Sequence, residues 1–214
     1  MERIDRSQWR RSAHCDFFGG IEVPFYSVTF RLDVTALAAY CKAHALSFYA
    51  GMIWCTMRAL NGVDEFLYEI HGEDVFRLPL RNPSYTYPYD GDLFGICTIP
   101  WQPGESLAAF DARRRAAEAQ NPSPLPTAEA DAAGHCVYIS CLPWFDYEHV
   151  AQEFPIDRDD STPRVLWGKY LPDANGRLTL AYTAQVNHRL IDGIHIARLK
   201  DALQAELDAF AAAD

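Results

Sequence analysis

The fold is decided near the C-terminus by the stretch Gln185-Val186-Asn187-His188-Arg189-Leu190-Ile191-Asp192-Gly193-Ile194-His195. Residues 178–186 before it are apolar and β-branched, a pattern that predicts a strand. After it, apolar side chains recur three or four residues apart, as on one face of an amphipathic helix: Ile196, Leu199, Leu203, Leu207 and Phe210. The stretch is therefore predicted to turn the chain from a strand into a helix.

His188 is the candidate general base in this turn. A histidine between a strand and a helix can be held rigidly by its neighbours while its ring faces a cavity, as a general base must be. Asp192, four residues on, is placed either to cap the following helix or to pair with a cation and brace the turn. The pattern His-x-x-x-Asp-Gly is short, however, and a capped helix beside an ordinary histidine matches it equally well.

A strand followed by His-x-x-x-Asp-Gly resembles the signature of the chloramphenicol acetyltransferase family and of the acyltransferase cores of 2-oxo acid dehydrogenase complexes. Four further segments resemble the chloramphenicol acetyltransferase family and occur in family order: Ser7–Arg11, Phe48-Tyr49, Leu142-Pro-Trp144 and Gly168-Lys-Tyr170. The acyltransferase cores follow lipoyl and linker segments that this sequence does not show. The resemblance spans nearly the whole chain and favours the first family.

The resemblance implies one domain over residues 1–214, with an α/β fold that packs a mixed β-sheet and helices into a two-layer sandwich. It also implies a homotrimer with active sites between subunits, and acetyl-CoA as co-substrate. The acceptor would be a hydroxyl of chloramphenicol or of another small molecule, and His188 would take its proton. Arg11 would form a salt bridge with Asp192, since a planar guanidinium grips a carboxylate at two points. A surface arginine is the alternative.

Further residues are placed around the two substrates by the resemblance. Lys169 and Tyr170 are expected at the coenzyme A end of the site, where the lysine would meet a phosphate and the tyrosine would flank the adenine or pantetheine arm. A solvated lysine at a strand end is the alternative. Phe25, Tyr26 and Tyr87, which lie in aromatic-rich stretches, are expected as walls of the acceptor pocket, with a plain core role as the alternative for each.

Asp146 is the main departure from the family. There, an Asn-Pro-Trp-x-Ser stretch supplies a serine that donates a hydrogen bond to the tetrahedral oxyanion, and Asp146 is the residue aligned with it. An ionised carboxylate only accepts hydrogen bonds, so it would repel the oxyanion. Asp146 would help only as a protonated acid. Otherwise it would bind a cationic or polyhydroxylated acceptor, or turn away and leave Tyr147 or a water as donor. Asn187, the milder departure, replaces the first of two successive histidines and leaves His188 in place.

Composition excludes several classes of protein. The chain has 214 residues, 49% hydrophobic and 22% charged, which describes a soluble globular protein, and it has no apolar run long enough to span a bilayer. A charged N-terminus without an apolar signal segment favours a cytoplasmic location. The net charge of −10 argues against nucleic acid, which needs a basic face. Six cysteines without a Cys-x-x-Cys pair predict reduced, buried thiols and no metal site.

The remaining sequence predicts helices and strands in alternation. Strands are predicted at Phe25–Leu32, Tyr68–Gly72, Glu73–Arg77, Pro83–Tyr89, Leu93–Ile99, Cys136–Ser140 and Arg164–Tyr170. Helices are predicted after Asp33, from Phe48 to Leu60 and from Ser106 to Gln120. The prolines of Asn121–Thr127 predict an internal loop, and the Asn-Gly pair in Asp173–Gly176 predicts a hairpin turn.

Two functions of different class follow. The first is a coenzyme A-dependent O-acetyltransferase that uses His188 as its base. The second is a non-catalytic binder of a small molecule or coenzyme A, which keeps the fold and an aromatic pocket but has lost turnover through Asp146. Retention of the histidine favours the enzyme. Release of coenzyme A, followed with a thiol reagent against a panel of hydroxylated acceptors, distinguishes the two.

Overall fold

The computed structural model describes residues 1–121, 123–126, 134–153, 157 and 159–212. Its strands, in chain order, are β1 (Glu2–Arg3), β2 (Phe25–Asp33), β3 (Tyr68–His71), β4 (Asp74–Arg77), β5 (Asn82–Asp90), β6 (Leu93–Thr98), β7 (Cys136–Leu142), β8 (Arg164–Gly168), β9 (Leu171–Pro172) and β10 (Leu178–Asn187). Its helices are α1 (Ser12–Gly19), α2 (Thr35–Ala43), α3 (Phe48–Asn61), α4 (Leu107–Gln120) and α5 (Gly193–Asp208). Short 3-10 helices lie at Asp64–Leu67 and Ala209–Ala212.

The main sheet has the strand order β2-β10-β8-β7-β5-β6, and β9 adds to one end of β10. Strands β5, β7 and β8 run parallel, whereas the β2/β10, β10/β8 and β5/β6 pairs are antiparallel, so the sheet is mixed. β10 is paired with β2 from Thr179 to Asn187 and with β8 from Tyr182 to Gln185. The strand that leads into the His188 turn is therefore held on both sides. A separate small sheet has the order β1-β4-β3.

One face of the main sheet packs against the helices. Alternate residues of β10 are buried in that core, as the two-residue repeat of a strand requires: Leu180, Tyr182, Ala184 and Val186. α3 lies against α2, α4 and α5, and α5 also contacts β2. The predicted α/β two-layer sandwich with a mixed sheet is confirmed.

The second face of the sheet is polar and is crossed by residues 145–153. The Tyr147 hydroxyl donates to the Leu166 carbonyl at 2.8 Å. Gln152 and Gln185 exchange two hydrogen bonds, of 2.9 and 3.1 Å, between backbone and side-chain amides. Thr183 and Gln185 are buried on this face. A polar layer thus lies opposite the apolar core of the same strand.

Several boundaries differ from the sequence prediction. α1 was not predicted, because its eight residues bury only Cys15 and so show no apolar stripe. β8 ends at Gly168, two residues early, because the Lys169 N–H turns to the Phe145 carbonyl at 2.6 Å. A Cβ on Gly168 would lie 2.6 Å from that same carbonyl oxygen, so this close approach requires glycine. The predicted loop at Asn121–Thr127 falls partly outside the described residues.

Two predictions made from composition, on the cysteines and on membrane-spanning segments, can be compared with the structure. All six cysteines are free thiols; five are buried and Cys141 is half-buried. Within the described part of the chain, no helix is both long and apolar enough to cross a membrane.

Candidate active site

The predicted turn from strand to helix is confirmed. β10 ends at Asn187, and Asp192 is the N-cap of α5, which begins at Gly193. The His188 N–H donates to the Pro24 carbonyl at 2.7 Å, which adds one more bond to the ladder between β10 and β2. His188 is thus fixed by the sheet at its backbone while its side chain leaves the sheet edge.

The His188 ring is clamped between two aromatic rings. Phe18 of α1 stacks on it with centroids 3.9 Å apart and planes 10° apart. Tyr26 of β2 packs at 4.4 Å with a tilt of 33°. The side chain is 31% exposed although its Nδ1 atom is buried, so the accessible part lies away from Nδ1, on the side of Nε2. Such a ring is oriented to offer Nε2 to a substrate.

Arg11 binds three residues of the turn with one guanidinium. Its Nη1 and Nη2 donate to the two carboxylate oxygens of Asp192, the second at 2.6 Å. Nη2 also donates to the His188 carbonyl and Nε to the Arg189 carbonyl, each at 2.8 Å. The side chain of Arg11 is only 11% exposed. The expected pairing of Arg11 with Asp192 is present, and it extends to the backbone of the histidine itself.

Asp192 is held as a carboxylate by these contacts. The hydrogen bond from Arg11 lowers its pKa, the charge of Arg11 acts in the same direction, and burial opposes them. One carboxylate oxygen lies 3.1 Å from Nδ1 of His188, but the two are not aligned for a hydrogen bond. Because Nδ1 faces Asp192 and is buried, Nε2 is the ring atom that a substrate can reach.

The three aromatic residues predicted as pocket walls have different positions. Phe25 pairs with Asn187 at the end of the ladder, beside the turn. Tyr26 touches the His188 ring and donates to the Ile191 carbonyl at 3.3 Å, and burial raises its pKa to about 12. Tyr87 belongs to the hydrophobic core and is 6% exposed. Its ring packs on Gly95, where a Cβ would come within 2.6 Å of it, a contact that fits the core role given as the alternative for this residue.

Asp146 is not an isolated carboxylate. Arg31 of β2 donates to its two oxygens at 2.6 and 3.3 Å. Both oxygens accept from this guanidinium, so Asp146 is engaged in an ion pair and is not presented as a hydrogen-bond donor. Tyr147 does not replace it as a free donor, since its hydroxyl proton goes to the Leu166 carbonyl and it accepts from Thr183 at 3.2 Å.

Lys169 and Tyr170 follow β8 at the surface. Lys169 is exposed, and Tyr170 packs edge-on against Phe48, the first residue of α3, with centroids 4.9 Å apart. The Phe145 carbonyl, which accepts from the Lys169 N–H, brings a second pair of aromatic residues to this surface. Trp144 is 73% exposed and Phe145 is 59% exposed. Exposed aromatic residues of this size are typical of binding surfaces.

The sheet register shows how far these residues lie from His188. Arg31, which holds Asp146, pairs with Ala181, and Gly168 is at the same level on β8, one residue beyond the Trp167–Tyr182 pair. His188 is seven residues farther along β10 than Ala181. At 3.3 Å per residue, this places the two groups roughly 23 Å apart in one chain. The predicted site residues therefore form two separate groups.

Sequence reasoning missed three contributors to these groups. Phe18 is not among the predicted site residues, although it lies next to the pair Gly19-Gly20 and an aromatic residue beside a glycine break is a signal for a surface role. Arg31 gave no signal, because a cation on an alternating strand reads as a solvated side chain. Ser140 of β7 was assigned only to a strand; its hydroxyl lies 3.3 Å from the hydroxyl of Thr86 on β5.

A cleft of about 430 Å³ opens on the other side of the turn. It is lined by Arg6, Asp16, Gly19, Gly20, Gly72, Glu73, Asp159 and Arg189. Its two arginines are paired with aspartates: Arg6 with Asp16, and Arg189 with Asp159 at 2.5 Å. Its lining includes no predicted site residue, so it does not join His188 to the second group.

Known proteins resemble this chain over almost its whole length. Residues 1–204 match the family model of chloramphenicol acetyltransferase. Chloramphenicol acetyltransferase 2 of Escherichia coli is 26% identical over 209 residues, which cover 96% of this chain and 96% of that protein. Chloramphenicol acetyltransferase of Streptomyces acrimycini is 26% identical over 211 residues, covering 95% and 93%.

Solved structures share the fold. A chloramphenicol acetyltransferase superposes with a TM-score of 0.87 at 21% identity, covering 95% of this chain and 98% of that chain. The cubic core of the pyruvate dehydrogenase multienzyme complex superposes with a TM-score of 0.69 at 19% identity, covering 93% and 88%. Because the family model matches this chain over residues 1–204, nearly its whole length, the chain belongs to the chloramphenicol acetyltransferase family.

Proposed function

We propose that this protein is an acetyl-CoA-dependent O-acetyltransferase acting in the cytoplasm on chloramphenicol or another small hydroxylated acceptor. The observation that carries the proposal is the His188 ring, clamped between Phe18 and Tyr26 and braced from behind by Arg11 and Asp192. A ring that merely filled space would not need its backbone and its aspartate fixed by the same guanidinium.

The reaction needs one base and no acyl-enzyme. Nε2 of His188 takes the proton of the acceptor hydroxyl while the oxygen attacks the thioester carbonyl and forms the new C–O bond. The tetrahedral oxyanion then collapses, the C–S bond breaks, and the imidazolium returns the proton to the leaving thiolate. The products are the acetyl ester and free coenzyme A. Asp192 stabilises the imidazolium formed in between, as a fixed carboxylate does.

The acceptor and thioester sites are proposed to lie between chains of a homotrimer. Along β10, His188 is roughly 23 Å from the level of Arg31 and Gly168, where the second group begins, too far to act on one acetyl group within one chain. A cyclic trimer repeats the same heterologous contact three times and brings the histidine end of one chain to the other group of its neighbour. One of the structures that share this fold is the cubic core of a multienzyme complex, in keeping with such association.

Ser140 is our proposed donor to the oxyanion, in place of Asp146. It lies two residues before Leu142, in the segment whose resemblance drew attention to Asp146. Ser140 and Thr86 share one hydrogen bond of 3.3 Å between two hydroxyl groups, so one of their two protons remains for a ligand. A neutral hydroxyl stabilises a developing negative charge where a carboxylate would repel it.

Coenzyme A is proposed to lie along the surface formed by Lys169, Tyr170 and Phe48. Lys169 is an exposed cation suited to a phosphate, and the edge-on pair of Tyr170 and Phe48 offers aromatic surface to the adenine or pantetheine. Their place at the start of α3 adds the partial positive charge of a helix N-terminus.

The alternative, a non-catalytic binder, requires the Asp146 carboxylate to lie beside the oxyanion and repel it. Because Arg31 binds both of its oxygens, Asp146 has a structural partner, and the reason to expect lost turnover weakens. No other contact of the turn favours that alternative.

The test is release of coenzyme A from acetyl-CoA, measured with a thiol reagent against chloramphenicol and a panel of small alcohols. We expect acceptor-dependent release by the wild type and none by His188→Ala above the rate without acceptor. Binding of acetyl-CoA without release for every acceptor would favour the binder. Mass spectrometry of the ester identifies the hydroxyl that is modified.

A further inference from the structure

His195 lies behind the catalytic turn, on the first turn of α5. Its Nδ1 accepts a hydrogen bond from the Asp192 backbone N–H at 2.9 Å. In return, the His195 N–H donates to the Asp192 carbonyl at 3.0 Å. At the third helical position a capping box normally has Glu or Gln reaching back to the N-cap residue. Here an imidazole makes that contact, and the N-cap residue is the aspartate of the active site.

These contacts fix the proton of His195. Since Nδ1 accepts from an N–H, it carries no hydrogen, and the neutral ring must hold its proton on Nε2. Nε2 lies 3.4 Å from a carboxylate oxygen of Glu65, in the 3-10 helix Asp64–Leu67. Arg198, one turn later on α5, holds the same oxygen at 3.3 Å. The His195 side chain is 10% exposed, so water is not an alternative partner on most of its surface.

We infer that His195 is a positioning residue for acetyl transfer: its neutral Nε2–H tautomer holds the backbone of Asp192 so that the carboxylate meets Arg11 and His188. The inference rests on the function proposed above for His188. Asp192 is then fixed at three points, by Arg11 at its carboxylate, by the helix at its carbonyl and by His195 at its N–H. Without the contact from His195, the backbone of Asp192 can rotate, and its carboxylate no longer holds His188 in one orientation.

Protonation of His195 has the same effect as its removal. A second proton on Nδ1 would face the Asp192 N–H, and two donors cannot share a hydrogen bond. The groups that face the ring are Glu65 and Asp192, which favour the charged form, and Arg11 and Arg198, which disfavour it. Burial is the largest influence and lowers the pKa of His195, so the ring stays neutral at neutral pH.

The tautomer is tested directly by nitrogen NMR of histidine-labelled protein, with the His195 signals assigned by their loss in His195→Gln. We expect a protonated Nε2 and an unprotonated Nδ1 at neutral pH. A protonated Nδ1 would overturn the inference, because that atom then cannot accept from Asp192. This readout does not depend on turnover.

The positioning role is tested by comparing His195→Gln with His195→Leu. Glutamine keeps an oxygen that can accept from the Asp192 N–H, whereas leucine fills space without an acceptor. We expect His195→Leu to lower kcat by about 10²-fold, the size of effect that a misplacement of about 1 Å produces, with the KM for acetyl-CoA little changed. His195→Gln should restore kcat to within a few-fold of wild type and should also leave the ring signals of His188 unshifted.

Arg198→Gln is the matched control, because Arg198 holds Glu65 from the same helix but does not touch Asp192. It should keep wild-type kcat. Wild-type kcat in His195→Leu, or a His195→Gln as impaired as the leucine variant, would overturn the positioning role. If the wild type transfers no acetyl, the proposed function fails, and the His188 ring signals still decide this inference: they must shift in His195→Leu and not in His195→Gln.

Discussion

The two ends of β10 are built in opposite ways. At the histidine end, defined by Arg11, Phe18, Tyr26, His188 and Asp192, each side chain is held by a hydrogen bond or a ring contact within the chain. At the aromatic end, defined by Trp144, Phe145, Lys169 and Tyr170, the side chains are largely exposed. One end is complete in a single chain, and the other presents surface.

This difference is what a site shared between chains requires. A general base must have one orientation before substrate arrives, so its supports belong on its own chain. A surface that receives a flexible cofactor and a neighbouring chain needs exposed aromatic area instead. The contrast predicts that substitutions at the histidine end act on kcat, whereas those at the aromatic end act on substrate binding and on assembly.

The largest effect is expected for His188→Ala. Removal of a general base costs about 10² to 10⁴ in rate, and the histidine contributes little to the core because a third of its side chain is exposed. The variant should therefore keep the oligomeric state and unfolding temperature of the wild type. His44→Ala is a matched control, since that histidine is exposed and is the C-cap residue that follows α2. If His188→Ala kept full activity, His188 could not be the general base.

Next in size is the loss expected for Ser140→Ala. One oxyanion donor is worth about 10² to 10³ in kcat, so the kcat of Ser140→Ala should fall by that factor. The kcat of Asp146→Asn should stay within a few-fold of wild type. Asp146→Ser should give no gain in turnover of chloramphenicol, because the aspartate is engaged by Arg31. If Ser140→Ala kept its kcat and Asp146→Ser gained turnover, the oxyanion donor would have to be placed at position 146 and not at Ser140.

A smaller effect, measured as an interaction, is expected between Arg11 and Asp192. Arg11→Gln and Asp192→Asn should each lower activity, and the double variant should lose less than the sum. Residues in direct contact couple by about 0.5 to 3 kcal/mol in such cycles. The cycle is read from kcat/KM and from chemical unfolding. Additive losses would mean that the bidentate contact does not organise the turn.

The smallest effect is on the pH dependence of stability. Burial lowers the pKa of His195 in the folded protein, so at acid pH the unfolded chain binds a proton that the folded chain resists. The free energy of unfolding should thus fall as pH decreases below about 6.5, the ordinary value for histidine, and level off once folded His195 is also protonated. In His195→Gln, the free energy of unfolding should depend less on pH in this range than it does in the wild type. Parallel curves would show that His195 is not held neutral.

Local pattern explains what the sequence could predict. The strand before His188 and the stripe of α5 repeat with periods of two and of three to four residues, and both are present. Arg11 and Asp192 were paired by resemblance, 181 residues apart. The partner of Asp146 could not be predicted, because Arg31 meets it only through the sheet register. The burial of Tyr87 could not be predicted either, because Gly95, which leaves room for its ring in the core, lies on the neighbouring strand.

The most direct test of a site shared between chains is subunit complementation. His188→Ala keeps the aromatic end and the serine, and Ser140→Ala keeps the histidine, so each trimer alone is expected to be nearly inactive. When equal amounts are unfolded together and refolded, about one quarter of the interfaces of random trimers should combine an intact His188 with an intact Ser140. We expect the mixture to recover about one quarter of wild-type activity, whereas the separately refolded proteins stay nearly inactive. Mixed trimers that show only the sum of the two residual activities would contradict this expectation.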